Sequence, residues 1–323
     1  MHLIATKRFT YPLDDDRWPR QHPTMRSSTL ASGVYVPLIT PFTSTGTVAL
    51  EALERLANEV LEGGAAGLVA LGTTAEAATL TGEEKARVVD VLARVCRERD
   101  APLIVGAGTN DTAASIEALV ALKATPEVVA ALSPVPYFTR PSEAGVVAHF
   151  TALANASPVP VVVYHIPYRT GQELSARTLR ELGSLPGIAA VKYAAGGITA
   201  DTVEFMGDLP DGFVVMAGDD AFFSPLLAIG AHGGILASAH VATSGFAELV
   251  EAWHSGDAIR AMKLGHRLAL LSAALFTEPN PTVIKGVLHA EGRIPNATVR
   301  LPLLPATSAA VAAGLRALDS FNG

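Results

Sequence analysis

One of the six lysines in the chain is set apart by its surroundings. Lys192 lies in Ile188-Ala189-Ala190-Val191-Lys192-Tyr193-Ala194-Ala195, a strand-like run whose two alternating faces are both small or apolar. Such a run offers no solvated face. The other five lysines fall near the N-terminus or in helical patterns, where a solvated ammonium costs little. Burial disfavours the charged form of a lysine, and the neutral amine can attack a carbonyl carbon to form a Schiff base. A lysine snorkelling to water from a strand end would have no such chemistry. Other groups with chemical potential are Gly72-Thr73-Thr74, Tyr137-Phe138, Tyr164 and Gly218-Asp219-Asp220. Each sits at or just after the end of an apolar run.

The runs themselves say what must hold these residues. Apolar stretches of strand length recur at Val34 to Pro41, Gly67 to Gly72, Leu103 to Gly108, Val128 to Ser133, Val159 to Ile166, Ile188 to Ala194, Phe213 to Ala217 and Gly234 to Ala239. They are continuous rather than alternating, which means burial on both faces, as in a parallel sheet. Between them lie helical patterns such as Leu50-Leu53-Leu56-Ala57-Val60 and Val88-Val89-Leu92-Val95. Polar caps mark helix starts: Thr81 with Glu84 as a capping box, Asn110 or Asp111, Ser142 and Ser175. Eight strand and helix pairs point to an α/β protein, a (β/α)8 TIM barrel over residues 30–256. A doubly wound open sheet is the rival, but Gly106-Ala107-Gly108-Thr109-Asn110-Asp111 lacks the third glycine of a dinucleotide fingerprint. Ile259 to Leu275, Thr282 to Ala290 and Ser308 to Leu318 read as further helices, a C-terminal region over 257–323. Residues 1–29, with Asp14-Asp15-Asp16 and no usable periodicity, read as a mobile extension. Met25 is a candidate translation start. In a barrel, chemistry comes from the carboxyl ends of the strands, and the suspicious residues sit there.

Composition narrows the partners. A chain of 323 residues, 49% hydrophobic and 17% charged, is that of a compact soluble protein. A net charge of −7 without clustered Lys and Arg argues against nucleic acid. No apolar run is long enough to span a bilayer. The single cysteine, Cys96, rules out an intramolecular disulfide, reads as a packed core thiol, and fits a cytoplasmic location. The nine histidines show no close pairing with carboxylates, so no metal is expected.

In combination, Gly72-Thr73-Thr74-Ala75-Glu76 with Thr79-Leu80, Tyr164-His165-Ile166-Pro167-Tyr168-Arg169-Thr170-Gly171, the Lys192 strand, Gly218-Asp219-Asp220 and Glu278-Pro279-Asn280-Pro281 resemble the dihydrodipicolinate synthase / N-acetylneuraminate lyase family. The resemblance runs from about Gly33 to Leu304. It implies a barrel with a C-terminal helical region, a homo-oligomer (dimer or tetramer), and pyruvate chemistry through a covalent lysine imine without a further cofactor. Carried over by position, Lys192 would form the imine. Tyr164 would be the acid and base near it, passing protons through Thr73. Thr73 and Thr74 would hold the keto acid's carboxylate, with Gly218 and Ile235 also lining the substrate. Amides in a strand-to-helix turn suit a carboxylate. Arg169 would recruit the carboxylate of an acceptor aldehyde, because its fork matches a carboxylate bidentately.

Three positions depart from the family's synthases. Those carry two consecutive tyrosines after strand four, the second completing a neighbouring subunit's proton relay, whereas this chain has Tyr137-Phe138. The lysine is usually followed by Glu, and here by Tyr193. An asparagine usually follows the strand-five tyrosine, and here His165 does. His165 or Tyr193 is therefore a candidate to replace the missing hydroxyl. At the interface positions of lysine feedback, Asn110 is present, but Ala114 and Gly82 stand where Glu and His would be. Weak or no inhibition by lysine is expected. The expected activity is condensation of pyruvate with L-aspartate 4-semialdehyde, with two alternatives: an aldolase releasing pyruvate from a 2-keto-3-deoxy acid, and a non-catalytic keto-acid-binding relative.

Overall fold

A computed structural model describes residues 30–323. The extension expected over residues 1–29 lies outside the described residues. Eight parallel strands, β1 (Gly33–Pro37), β2 (Gly67–Ala70), β3 (Leu103–Gly106), β4 (Val128–Pro134), β5 (Val161–His165), β6 (Ile188–Tyr193), β7 (Val214–Ala217) and β8 (Gly233–Ile235), pair in sequence order. β8 returns to β1 and closes the barrel. Every expected strand is present, several of them shorter than their apolar runs. The last is cut most: Leu236 still donates its N–H to Tyr35 O at 3.1 Å, but Ser238–His240 already coil into a 3-10 turn.

Continuous apolar strands serve two cores. One phase, including Tyr35, Val69, Ile104, Val162, Val214 and Met216, packs together inside the barrel. The other phase, including Val36, Val105, Val163, Val191 and Val215, faces the helices. Helix Leu50–Glu62 shows why the helices lie where they do, since its spaced apolar residues Ala52, Leu53, Leu56, Ala57 and Val60 are all buried. Polar caps set the starts. Thr81 and Glu84 form the capping box of Gly82–Arg99, and Ser142 and Ser175 cap the helices at Glu143–Ala156 and Ala176–Gly183. Of the two candidates at 110 and 111, Asp111 is the cap, accepting from Ala113 N, while Asn110 accepts from Tyr137 N at 2.8 Å. Cys96 is buried, and burial pushes its thiol up to about 12, which makes it a core residue rather than a nucleophile.

The last barrel helix is Thr243–His254, and three more helices follow: Ala258–Leu275, Thr282–Ala290 and Ser308–Asn322. Ala258–Leu275 packs on both Thr243–His254 and Ser308–Asn322, so this region is continuous with the barrel wall. Here one expectation fails. Its helical pattern predicts a solvated ammonium for Lys285, yet it is 0% exposed. The helix buries Thr282 through Leu288 on every side, so a lysine within it has no route to water. Its Nζ instead meets Glu76 Oε1 at 2.6 Å and lies 4.2 Å from the Phe42 ring.

Candidate active site

The register of parallel strands brings Tyr164 on β5, Lys192 on β6 and Met216 on β7 level with one another near the carboxyl end of the barrel. Tyr164 and Met216 belong to the interior core, and Lys192 shares their phase. Lys192 is 6% exposed. Its Nζ lies 4.3 Å from the centroid of the Tyr164 ring, and among the described residues no carboxylate stands within 4.0 Å of it. Gly218 makes room for the stem. A Cβ there would stand 3.0 Å from both Cγ and Cε of Lys192 and 2.9 Å from the Ala194 Cβ, inside ordinary contact distance.

The next two residues tie neighbouring strand ends together. Asp219 Oδ2 accepts from Gly196 N at 2.6 Å, from the loop after β6. Asp220 accepts from Ser238 N, beyond β8. Burial pushes both carboxyls up, Asp220 to about 6, against their amide donors and the opposing charge of Lys192. Ile235 lies in the same interior core at 1% exposure.

After β2 the chain enters a 3-10 turn, Thr73–Ala75. The first amides of such a turn have no intrahelical acceptor, so the N–H groups of Thr73 and Thr74 suit an anion. Thr73 is exposed and Thr74 is 4% exposed. Below them the turn is pinned. Thr40 Oγ1 donates to Ala75 O at 2.7 Å. Glu76 takes φ 55°, a conformation unfavourable for a residue with a Cβ, and holds it with two partners on its carboxylate. Lys285 supplies one of them and Arg300 N, at 2.8 Å, the other.

Two loops flank the mouth. Phe138, after β4, has φ 66° and is 89% exposed, with its N–H directed to Thr170 O at 3.3 Å. The loop after β5 carries Arg169, exposed, with its guanidinium 5.7 Å from the Tyr168 ring and no ion pair or side-chain hydrogen bond among the described residues. That leaves its donors free for a ligand.

His165 and Tyr193 are not brought to this mouth. Each follows an inward-facing residue along its strand, so each points outward under the helices. The two rings lie 5.6 Å apart, and Tyr193 stacks on Phe205 at 5.5 Å and shares a 3.1 Å hydrogen bond with Thr202. Burial pushes the His165 imidazole down to about 4. Neither can replace a proton relay inside the barrel, and that expectation is corrected on geometry. Sequence reading missed Lys285, and it met Asn280 and Glu76 only inside motifs, without a role or a partner. Asn280 donates from Nδ2 to Thr74 Oγ1 at 3.0 Å. The signal for Lys285 was available, as the one charge in a segment apolar all round.

A buried lysine level with a tyrosine inside a closed (β/α)8 barrel, whose second strand ends in a turn with amides that suit a carboxylate, defines a class I, imine-forming lyase. The model of the dihydrodipicolinate synthetase family matches residues 30–318. A 4-hydroxy-tetrahydrodipicolinate synthase of Neisseria meningitidis serogroup B is 36% identical over 293 residues, 89% of this chain and 99% of the relative. One from Moorella thermoacetica is 39% identical over 274 residues, 85% of this chain and 92% of the relative. The chloride-inhibited dihydrodipicolinate synthase of Acinetobacter baumannii, solved with pyruvate, superposes with a TM-score of 0.86 at 33% identity, covering 91% of this chain and 99% of that one. The chain belongs to the dihydrodipicolinate synthetase family. No helix among the described residues is long and apolar enough to cross a membrane.

Proposed function

We propose that the protein condenses pyruvate with L-aspartate 4-semialdehyde, as a 4-hydroxy-tetrahydrodipicolinate synthase, through an imine on Lys192. The observation that carries this reading is Lys192 itself, buried and without an ion-pair partner, with its Nζ against the Tyr164 ring. Its amine adds to the keto carbon of pyruvate, the keto oxygen leaves as water with one proton from the amine and one from Tyr164, and the nitrogen keeps its other proton as an iminium. That cation is an electron sink: the methyl group loses a proton and becomes an enamine carbon that attacks the aldehyde. Tyr164 serves as acid and base beside the nitrogen, with Thr73 as its relay. The amides and hydroxyls of Thr73 and Thr74 hold the pyruvate carboxylate, Gly218 and Ile235 line the same space, and Arg169 takes the carboxylate of the acceptor. The free guanidinium of Arg169 favours a short acidic acceptor over a sugar chain.

Phe138 favours a second reading. Without a hydroxyl at this position the relay lacks a donor, which suits an aldolase releasing pyruvate from a 2-keto-3-deoxy acid, or a relative that only binds the keto acid. The exposure of Tyr137 and Phe138 supports a homo-oligomer, dimer or tetramer, in which these rings meet a second copy. The substrate class and the lone, buried cysteine fit a cytoplasmic enzyme.

Borohydride reduction in the presence of pyruvate, followed by peptide mass mapping, tests the core of this reading. The expected adduct lies on Lys192 alone. An unmodified Lys192, with pyruvate bound reversibly or not at all, removes the lyase reading and leaves the binding relative.

A further inference from the structure

The C-terminal region reaches back across the barrel to the turn after β2 at three points. Asn280 donates to Thr74 Oγ1 at 3.0 Å, Lys285 Nζ meets Glu76 Oε1 at 2.6 Å, and Arg300 contributes its N–H to Glu76 Oε2 and its guanidinium to Thr79 O, both at 2.8 Å. All four groups are far from the turn in sequence and land on one six-residue stretch of it. The Lys285–Glu76 contact is fully buried, which makes it a poor place for an accidental pair. Losing one partner would leave an uncompensated interior charge.

Asn280 differs from the other two because it touches a residue of the site. A hydroxyl has one proton and two lone pairs. Asn280 occupies the accepting side of the Thr74 hydroxyl, and the proton of that hydroxyl has no acceptor among the described residues. A buried donor without a partner is costly unless a ligand supplies the acceptor. The free proton is directed away from Asn280, and Thr74 is the second residue of the turn Thr73–Ala75. Asn280 Oδ1 is likewise buried and without a partner, so the carboxamide is fixed through its Nδ2 alone.

We propose that Asn280 is a positioning residue for keto-acid binding: by donating to the Thr74 hydroxyl it turns that hydroxyl's proton toward the pyruvate carboxylate, and the Lys285–Glu76 pair holds the turn rigid beneath it. This rests on the reading that Thr73 and Thr74 hold that carboxylate. The C-terminal region, through the loop between helices Ala258–Leu275 and Thr282–Ala290, is then part of the binding site rather than an appendage to the barrel. Preorganised donors of this kind are worth most when the partner is charged.

The test is steady-state kinetics of Asn280→Ala and Asn280→Asp against varied pyruvate at saturating acceptor, with Thr74→Val alone and combined with Asn280→Ala. Asn280→Ala should raise KM for pyruvate roughly tenfold, the value of one charge-assisted hydrogen bond, while kcat at saturation stays within about twofold. Asn280→Asp, nearly the same shape, should raise it further, because a carboxylate can accept the Thr74 proton and repels the substrate anion. In the double variant the two losses should not add, since both act through one hydroxyl. A purely structural role would lower the melting temperature and kcat without this split. Should Asn280→Ala fail to fold, the isosteric Asn280→Asp decides. An unchanged pyruvate KM in the Asn280 variants, with Thr74→Val impaired, overturns the role of Asn280 alone. An unchanged KM in Thr74→Val as well overturns the assignment of the carboxylate to this turn.

Discussion

Gly218→Ala is the smallest change that should disable the lysine without touching it. The new Cβ would stand 3.0 Å from Cγ and Cε of Lys192 and 2.9 Å from the Ala194 Cβ. Relaxed carbon contacts lie at about 3.5–4.0 Å, so each of three contacts is short by roughly 0.5–1 Å. Gly218 does not need a positive φ, so the effect is steric rather than a matter of backbone strain. The Ala194 Cβ is fixed to its backbone and cannot yield far. The lysine stem must therefore move, and crowding of this kind costs about 1–3 kcal/mol. A displacement of Nζ approaching 1 Å from its position against Tyr164 should cost on the order of 100-fold in rate. Expected results are a slower single-turnover borohydride trapping of pyruvate, a kcat lowered on the order of 10- to 100-fold, and a melting temperature lower by several degrees. Gly82→Ala is the control, because its Cβ would meet nothing within 4 Å. Wild-type trapping by Gly218→Ala refutes the packing argument, even if the melting temperature falls, since strain would then have been absorbed elsewhere.

Arg169→Ala should leave trapping of pyruvate and thermal stability unchanged while lowering initial rates with aspartate semialdehyde roughly 10- to 100-fold, and Arg169→Lys should recover little of it. Equal rates for wild type and Arg169→Ala would make the residue structural. Phe138→Tyr, at a position 89% exposed in the single chain, displaces nothing within that chain, and a restored general-acid hydroxyl should raise condensation by about 100-fold or more. If nothing is gained while the wild type already cleaves a 2-keto-3-deoxy acid, the aldolase reading takes over. Stability should fall on acidification. His240 is fully buried, with Nε2 accepting from Ile39 N at 3.1 Å, and burial holds it and His165 down to about 4, below the usual value of about 6.5. The unfolded chain therefore binds more protons between these values, and each histidine removes about 3 kcal/mol as the pH drops through that window. Asp220, raised to about 6, acts in the opposite sense from pH 6 downward and offsets one of them. Urea midpoints at pH 7 and pH 4.5 should show a net loss of about 3 kcal/mol or somewhat less, reduced in His240→Gln. A pH-independent midpoint would sink this account.

Much of the fold was legible because a parallel barrel writes itself locally. Strands buried on both faces leave continuous apolar runs, helices with one buried face leave a 3.6-residue spacing, and caps such as Thr81 with Glu84 mark starts through bonds spanning three residues. The candidate site was legible to the same depth. Lys192 stood out because its neighbours in both phases are apolar, and Tyr164 because it stands near the end of the preceding strand.

Contacts between residues far apart in the chain could not be read this way. Sequence spacing carried no sign that Asn280 meets Thr74, 206 residues away, or that Lys285 meets Glu76 across 209. His165 and Tyr193 show the same limit on a smaller scale. Their nearness to Tyr164 and Lys192 suggested chemistry, but the strand turns successive side chains to opposite faces, and only barrel closure decides which face is the lumen. The sequence alone determined the elements and singled out Lys192 and the carboxyl end of the barrel as the place to look for chemistry, because those depend on periodicity within about ten residues. The tertiary structure decided which groups surround that lysine, which charge is buried with which partner, and which hydroxyl proton is left free, because those depend on where distant segments come to rest.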